Sequence, residues 1–249
     1  MGTRRTRRFW LCWALALAVT AVWTISTSPV QTSQPVGGAA HGSYVALTFD
    51  DGPWPGTTNA LLDGLAQRGV KATFFLVGEQ VADRAETVRR MADEGHQIGL
   101  HTWHHVSLKG MTPDRITSQL DQTRAAIREI VGPVDLMLRP PYGFVDDTLR
   151  QWAKAPIICW SLDTEDWKDP TPSRITADIL RQVKDGDIIL MHDIFDTSVT
   201  AALAAVDQLL AQGYRLVTVE ELFAQRGQDP QPGAVYCSLP PAQKEEVEP

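Results

Sequence analysis

Cysteine is scarce in this 249-residue chain, with three in all, at positions 12, 159 and 237. Cys12 lies inside an apolar N-terminal run, so a folded part holds two at most. That excludes a small disulfide-stapled scaffold and leaves a single bridge, Cys159 to Cys237, permitted only in an oxidising compartment. Cys159 sits in the apolar run PIICWSL, where a buried free thiol is an ordinary core residue, so two unpaired thiols are the preferred reading. A glycine-rich dinucleotide fingerprint is also missing, and no internal repeat is visible. Nor is there an excess of basic residues: the formal charge is −7, and setting aside the four arginines of the first eight residues and the net −2 of the closing KEEVEP leaves −9 on the remainder. An acidic domain does not suit nucleic acid.

What is present divides the chain into four parts. Arg4, Arg5, Arg7 and Arg8 precede an unbroken apolar run from Phe9 to Ile25, which reads as an export signal. Residues 1–28 are therefore expected to be a signal peptide or a retained N-terminal anchor, and both place the rest of the chain outside the cytoplasm because the arginines stay inside. Residues 29–43 are rich in Ser, Thr, Gly, Pro and Gln and form a linker. A folded domain is expected over 44–226, and 227–249 reads as a disordered, acidic, Pro-rich tail.

Within the domain, short apolar, β-branched runs fall at 44–49, 72–77, 97–100, 136–138, 157–162, 187–191 and 215–219. Helical segments lie between most of them, over 59–68, 85–94, 113–130, 173–183 and 199–212. Thr112 stands at the N-cap of the longest, with Pro113 at its first helical position. Strand and helix in turn imply a parallel sheet. Seven or so strands without a dinucleotide motif favour an α/β fold closed as a (β/α) barrel.

The chemistry gathers where these strands end: Asp50, His101, Arg139, Asp163 and His192 each close one. In such a barrel the C-terminal rim is where the loops converge on an active site. In HTWHH, His101 and His105 lie four apart and can face one metal if the segment turns helically, with His104 as a competitor for the second place. Asp51 adds a carboxylate from another strand end. Two imidazoles and one carboxylate make a three-ligand set with open positions, the composition of a catalytic metal site. Asp50 beside it is then free to act as a general base. The competing reading of DDGP is a plain turn, since Asp, Gly and Pro all favour one.

Taken in order, TFDDG, HTWHH, RPPYG, DTEDW and LMH resemble the polysaccharide deacetylases, carbohydrate esterase family four with its NodB homology domain. The resemblance spans about Tyr44 to Phe223 and implies a distorted, incomplete (β/α) barrel. It also implies roles. Asp50 is the base, oriented by Arg139, and Asp51, His101 and His105 hold a divalent metal, zinc or alternatively cobalt or another ion. Tyr142 offers its backbone N–H to an oxyanion. His192 is the general acid, with Asp163 hydrogen-bonded behind it and Asp166 as the rival for that place. Pro141, Trp167 and Leu190 contact substrate, and Thr102 braces the histidine loop. The implied activity is metal-dependent removal of acetyl groups from N-acetylglucosamine units of an extracytoplasmic polysaccharide, peptidoglycan or chitooligosaccharide, with acetylxylan ester hydrolysis as the alternative. A non-catalytic glycan-binding module would lack a base, a ligand or an acid, and none is lacking. The protein is expected to be a monomer that touches a membrane only through an uncleaved N-terminal segment.

Overall fold

Residues 42–241 are described by a computed structural model of the chain. The expected export segment, most of the linker and residues 242–249 lie outside the described residues. Strand β1, Tyr44–Asp50, is the centre of the sheet and pairs in parallel with β2, Thr73–Leu76, on one side and β6, Ile188–His192, on the other. β3, Gln97–Leu100, continues beyond β2. The ring then passes through single bridges, Leu100 to Leu138 and Leu138 to Ile157. It returns through β4, Ile157–Ile158, and β5, Leu162–Asp163, the latter paired with β6. The result is a distorted (β/α) barrel. β7, Arg215–Val217, pairs only with the first three residues of β1.

Two expected strands are shorter than their apolar runs suggest. The 136–138 run pairs through Leu138 alone, whose N–H reaches Pro156 O at 2.9 Å. The 157–162 run splits in two because the Arg139 guanidinium takes the Ile158 and Cys159 carbonyls, at 3.2 and 3.0 Å. The expected tail is also corrected. Val235–Tyr236 forms β8, parallel to β4, and Leu239 N–H reaches Gly186 O at 2.8 Å. Pro-rich composition concealed a segment whose apolar residues, Val235, Tyr236 and Leu239, cover the barrel.

Helices α1 (Pro55–Gln67), α2 (Gly78–Ala82), α3 (Ala85–Asp93), α4 (Pro113–Val131), α5 (Asp147–Trp152), α6 (Pro172–Gln182), α7 (Asp196–Ala211) and α8 (Val219–Gln225) connect the strands. Thr112 is the N-cap of α4, but its side chain makes no capping bond, so Pro113 with its preset φ carries that helix start. α8 does carry a full capping box, Thr218 with Glu221.

Period-two alternation along β1 separates two environments. Val45, Leu47 and Phe49 pack outward in the main core with Leu61, Leu65 and Val206 of the surrounding helices. Ala46, Thr48 and Asp50 face the barrel interior. At the bottom, Ala46 packs with Phe75, Ile188, Val219, Leu222 and Phe223, so α8 plugs that end with apolar side chains. In the middle Thr48 donates to Ile189 O at 2.6 Å and accepts from Arg139. At the top, where the strands end, stands Asp50.

Candidate active site

Among the described residues Arg139 is the largest fully buried side chain, with no solvent exposure. A charge at that depth costs several kcal/mol of lost hydration unless every donor is matched. Here four of the five N–H donors are matched: Nη1 donates to Asp50 Oδ1 at 2.9 Å and to Thr48 Oγ1 at 2.7 Å, Nε and Nη2 take one carbonyl each, and the plane lies 4.2 Å over the Phe75 ring. Asp50, 3% exposed, is thereby fixed in one orientation. Register places it level with His192 on the adjacent strand.

Asp51 turns away at once, with φ of 75°. Its Oδ1 atom lies 3.4 Å from His101 Nε2 and 3.1 Å from His105 Nε2, and it is buried with no hydrogen-bond donor of its own. Two ligands about 2.05 Å from one tetrahedral zinc stand about 3.3 Å apart, so these spacings fit a divalent ion among Asp51, His101 and His105. The tautomer fits as well. His101 Nδ1 lies 2.7 Å from the Arg139 carbonyl and donates to it, which leaves the Nε2 lone pair facing Asp51. Burial pulls the His105 imidazole down, toward the neutral form a metal requires. Burial would raise the Asp51 carboxyl, but the imidazoles of His101, His105 and His192 around it outweigh that and hold it at about 2. His104 turns out to solvent, its Nδ1 3.1 Å from Gln119 Nε2, and is no competitor.

The loop geometry behind this set is strained in a way the sequence only hints at. Among the described residues six non-glycines have positive φ, and five stand around the site: Asp51, Thr102, His105, Tyr142 and Glu165. Such backbones cost about 1–3 kcal/mol each and persist where surrounding structure over-determines them. Thr102 shows how, accepting the Val106 N–H at 3.3 Å through its hydroxyl while its carbonyl accepts the Gly78 N–H at 2.9 Å. It braces the histidine loop as expected. Gly52 follows Asp51 for a different reason: a Cβ there would lie 2.5 Å from both carboxylate oxygens of Asp193. Asp193 is fully buried, accepts the Thr58 hydroxyl, and is pushed up to about 7 by burial. Nothing in the sequence singled it out.

Behind His192 the expectation is corrected. Asp166, not Asp163, holds the imidazole: Asp166 Oδ1 accepts from His192 Nδ1 at 2.7 Å and Oδ2 from the His192 backbone N–H at 2.8 Å. Glu165, at φ 49°, reverses the chain after β5 and carries Asp166 back beneath β6, fully buried. Asp163 accepts only the Glu165 N–H, at 2.9 Å, and stays exposed on the rim. Burial would lower the His192 pKa, but the Asp166 hydrogen bond and charge raise it to about 9. Its Nε2 faces the cleft, 4.0 Å from Asp51 Oδ2.

These groups line one cleft of about 440 Å³, with Tyr142, Trp160, Asp163, Trp167, Leu190 and Phe195 as its walls. Leu190 and Trp167, expected at the substrate, both line it. Pro141 does not: it is buried in the 3₁₀ turn Pro141–Gly143, where it positions Tyr142 rather than touching the cleft. Trp160 and Phe195 were missed. Trp160 packs on Gly143, where a Cβ would lie 2.8 Å from its ring, and its ring lies 5.8 Å from the Arg139 guanidinium. No local sequence signal marked it, since the strand break beside it is set by Arg139. Chemically, the cleft joins a fixed carboxylate, a metal-ligand set, an acid-poised imidazole and an apolar wall, an arrangement suited to hydrolysis of an acyl bond.

Comparison with known proteins agrees. The sequence profile of the family described as "Polysaccharide deacetylase" matches residues 37–156. The peptidoglycan-N-acetylmuramic acid deacetylase PdaC of Bacillus subtilis (strain 168) is 42% identical over 178 residues, which is 72% of this chain and 38% of that protein. This chain thus spans less than half the length of that relative. A solved structure described as a T48 deacetylase with substrate superposes with a TM-score of 0.76 at 42% identity, over 80% of this chain and 99% of the other. A family 4 acetyl xylan esterase from Clostridium thermocellum, solved with a cobalt ion, gives 0.76 at 35% identity over 79% and 99%.

Proposed function

The chain belongs to the polysaccharide deacetylase family, and on that footing we propose that it is a metal-dependent hydrolase acting outside the cytoplasm on N-acetylglucosamine units of peptidoglycan or chitooligosaccharide, from which it releases acetate. The observation that carries this reading is the meeting of Asp50, the Asp51–His101–His105 set and His192 in one cleft. Asp51, His101 and His105 would hold the ion, zinc in this reading, which when bound polarises the acetyl carbonyl and acidifies water.

The remaining steps fall to the chain's own groups around the cleft. Asp50, oriented by Arg139, accepts the proton of the attacking water. The Tyr142 backbone N–H donates to the oxyanion that develops on the former carbonyl oxygen. Leu190, Trp160 and Trp167 enclose the acetyl methyl. An amide nitrogen leaves only when protonated, and His192 supplies that proton from Nε2 while Asp166 stabilises the imidazolium through Nδ1. The products are acetate and a free amine.

Acetate release by the full chain is the test, on chitopentaose, peptidoglycan and acetylxylan, before and after chelation and after return of zinc. Chelator-sensitive release from either of the first two, restored by zinc, is expected. Release from acetylxylan alone would make it an ester hydrolase. Absence of release from all three by metal-loaded protein would overturn the reading.

A further inference from the structure

The pairing of β4 with β8 does more than seal the barrel. Its register, Ile157 opposite Val235 and Ile158 opposite Tyr236, continues one step further, since Cys159 N–H donates to Tyr236 O at 2.8 Å. Cys159 therefore stands opposite Cys237. Parallel neighbours lie about 4.8 Å apart, and their paired side chains leave the same face of the ladder. Disulfides span Cα separations of about 4.4–6.8 Å. We propose that Cys159 and Cys237 form an intramolecular disulfide that fastens the segment after α8 to the barrel wall carrying Arg139.

Accessibility sets the order of events. Cys237 is exposed and Cys159 only partly so. Burial, with the adjacent Cys237 sulfur, pushes the Cys159 thiol up to about 11. Cys237 thiolate attacks the disulfide of an oxidant, a glutathione or protein disulfide, and displaces one thiolate. Cys159 then attacks the Cys237 sulfur and releases the second. The protein loses two protons and two electrons, and the oxidant becomes two thiols.

The bond closes a loop of roughly eighty residues. It also lies one residue from the candidate chemistry, because the Cys159 and Ile158 carbonyls hold the guanidinium that orients Asp50. Any effect of the bridge on activity rests on the proposed hydrolase function; the bridge itself does not.

Peptide mapping of the full chain, Cys12 included, is the direct test, after equilibration in glutathione redox buffer and alkylation of free thiols under native conditions. A peptide pair joined through Cys159 and Cys237, two hydrogens lighter than its reduced form, is expected, with Cys12 alkylated. Alkylation of both cysteines after oxidation, or linkage of either to Cys12 or to a second molecule, would overturn the proposal. Reduction should lower the Tm of the wild-type protein by roughly 5–15 °C and leave that of Cys237→Ser unmoved. An equal Tm for oxidised and reduced wild type would remove the fastening role.

Discussion

Replacing Asp166 with asparagine separates charge from shape at the most informative contact in the cleft. Asparagine keeps one oxygen to accept the His192 Nδ1–H, but the negative charge is gone and its amide nitrogen cannot accept the His192 backbone N–H that the second carboxylate oxygen took. A hydrogen bond to a charged group is worth about 1.5–3 kcal/mol, against roughly 1 for a neutral one. At 1.36 kcal/mol per pH unit, that difference of about 0.5–2 kcal/mol lowers the imidazolium pKa by about 0.4–1.5 units. In the native protein that pKa is about 9, raised by Asp166 against the opposing effect of burial. In the proposed mechanism the protonated form is the active one, so the raised value should keep the acid competent through neutral pH and activity should fall as pH rises through about 9. In Asp166→Asn the same fall should come about 0.4–1.5 pH units earlier. The assay is kcat/KM for acetate release from chitopentaose between about pH 6 and 10. Asp163→Asn is the control, since its carboxylate meets only the Glu165 N–H, and it should follow wild type. A shifted limb in Asp163→Asn with none in Asp166→Asn would refute the assignment. The same pair makes a stability prediction: a raised histidine pKa stabilises fully below about 6.5 and the effect is lost as pH rises through about 9. The urea midpoint of wild type should therefore exceed that of Asp166→Asn at pH 6 and converge on it above that range.

His105→Ala should abolish stoichiometric zinc binding, measured by metal analysis after dialysis, whereas His104→Ala should retain it because that ring points to Gln119; equal loss in both would dismiss the proposed ligand set. Arg139→Met leaves Asp50 buried without its cation and should cost about 3–5 kcal/mol of stability by chemical denaturation, while Asp50→Asn combined with Arg139→Met should recover part of it because a neutral amide needs no counter-charge. A double variant no more stable than Arg139→Met would show that the pair contributes through packing alone.

Much of this protein is determined one strand at a time, and that part was readable in the sequence. An apolar run ending in a polar residue must place that residue at a strand end, so Asp50, Asp51, His101, Arg139 and His192 followed from local pattern, as did alternation of strand and helix and with it the parallel sheet. The histidine pair was legible because both rings belong to one five-residue segment. Other features were decided by tertiary structure, because each depends on what a distant segment does. Which carboxylate of DTEDW meets His192 is set by the backbone reversal at Glu165 and the docking of β5 on β6, and a one-residue reading of strand ends points to the wrong one. The split of the 157–162 run follows from a guanidinium that leaves another strand and takes its carbonyls. The covering of the barrel by β8, and the register that sets Cys159 against Cys237, join residues nearly eighty positions apart, where no sequence period reaches and only the ladder of hydrogen bonds fixes who faces whom.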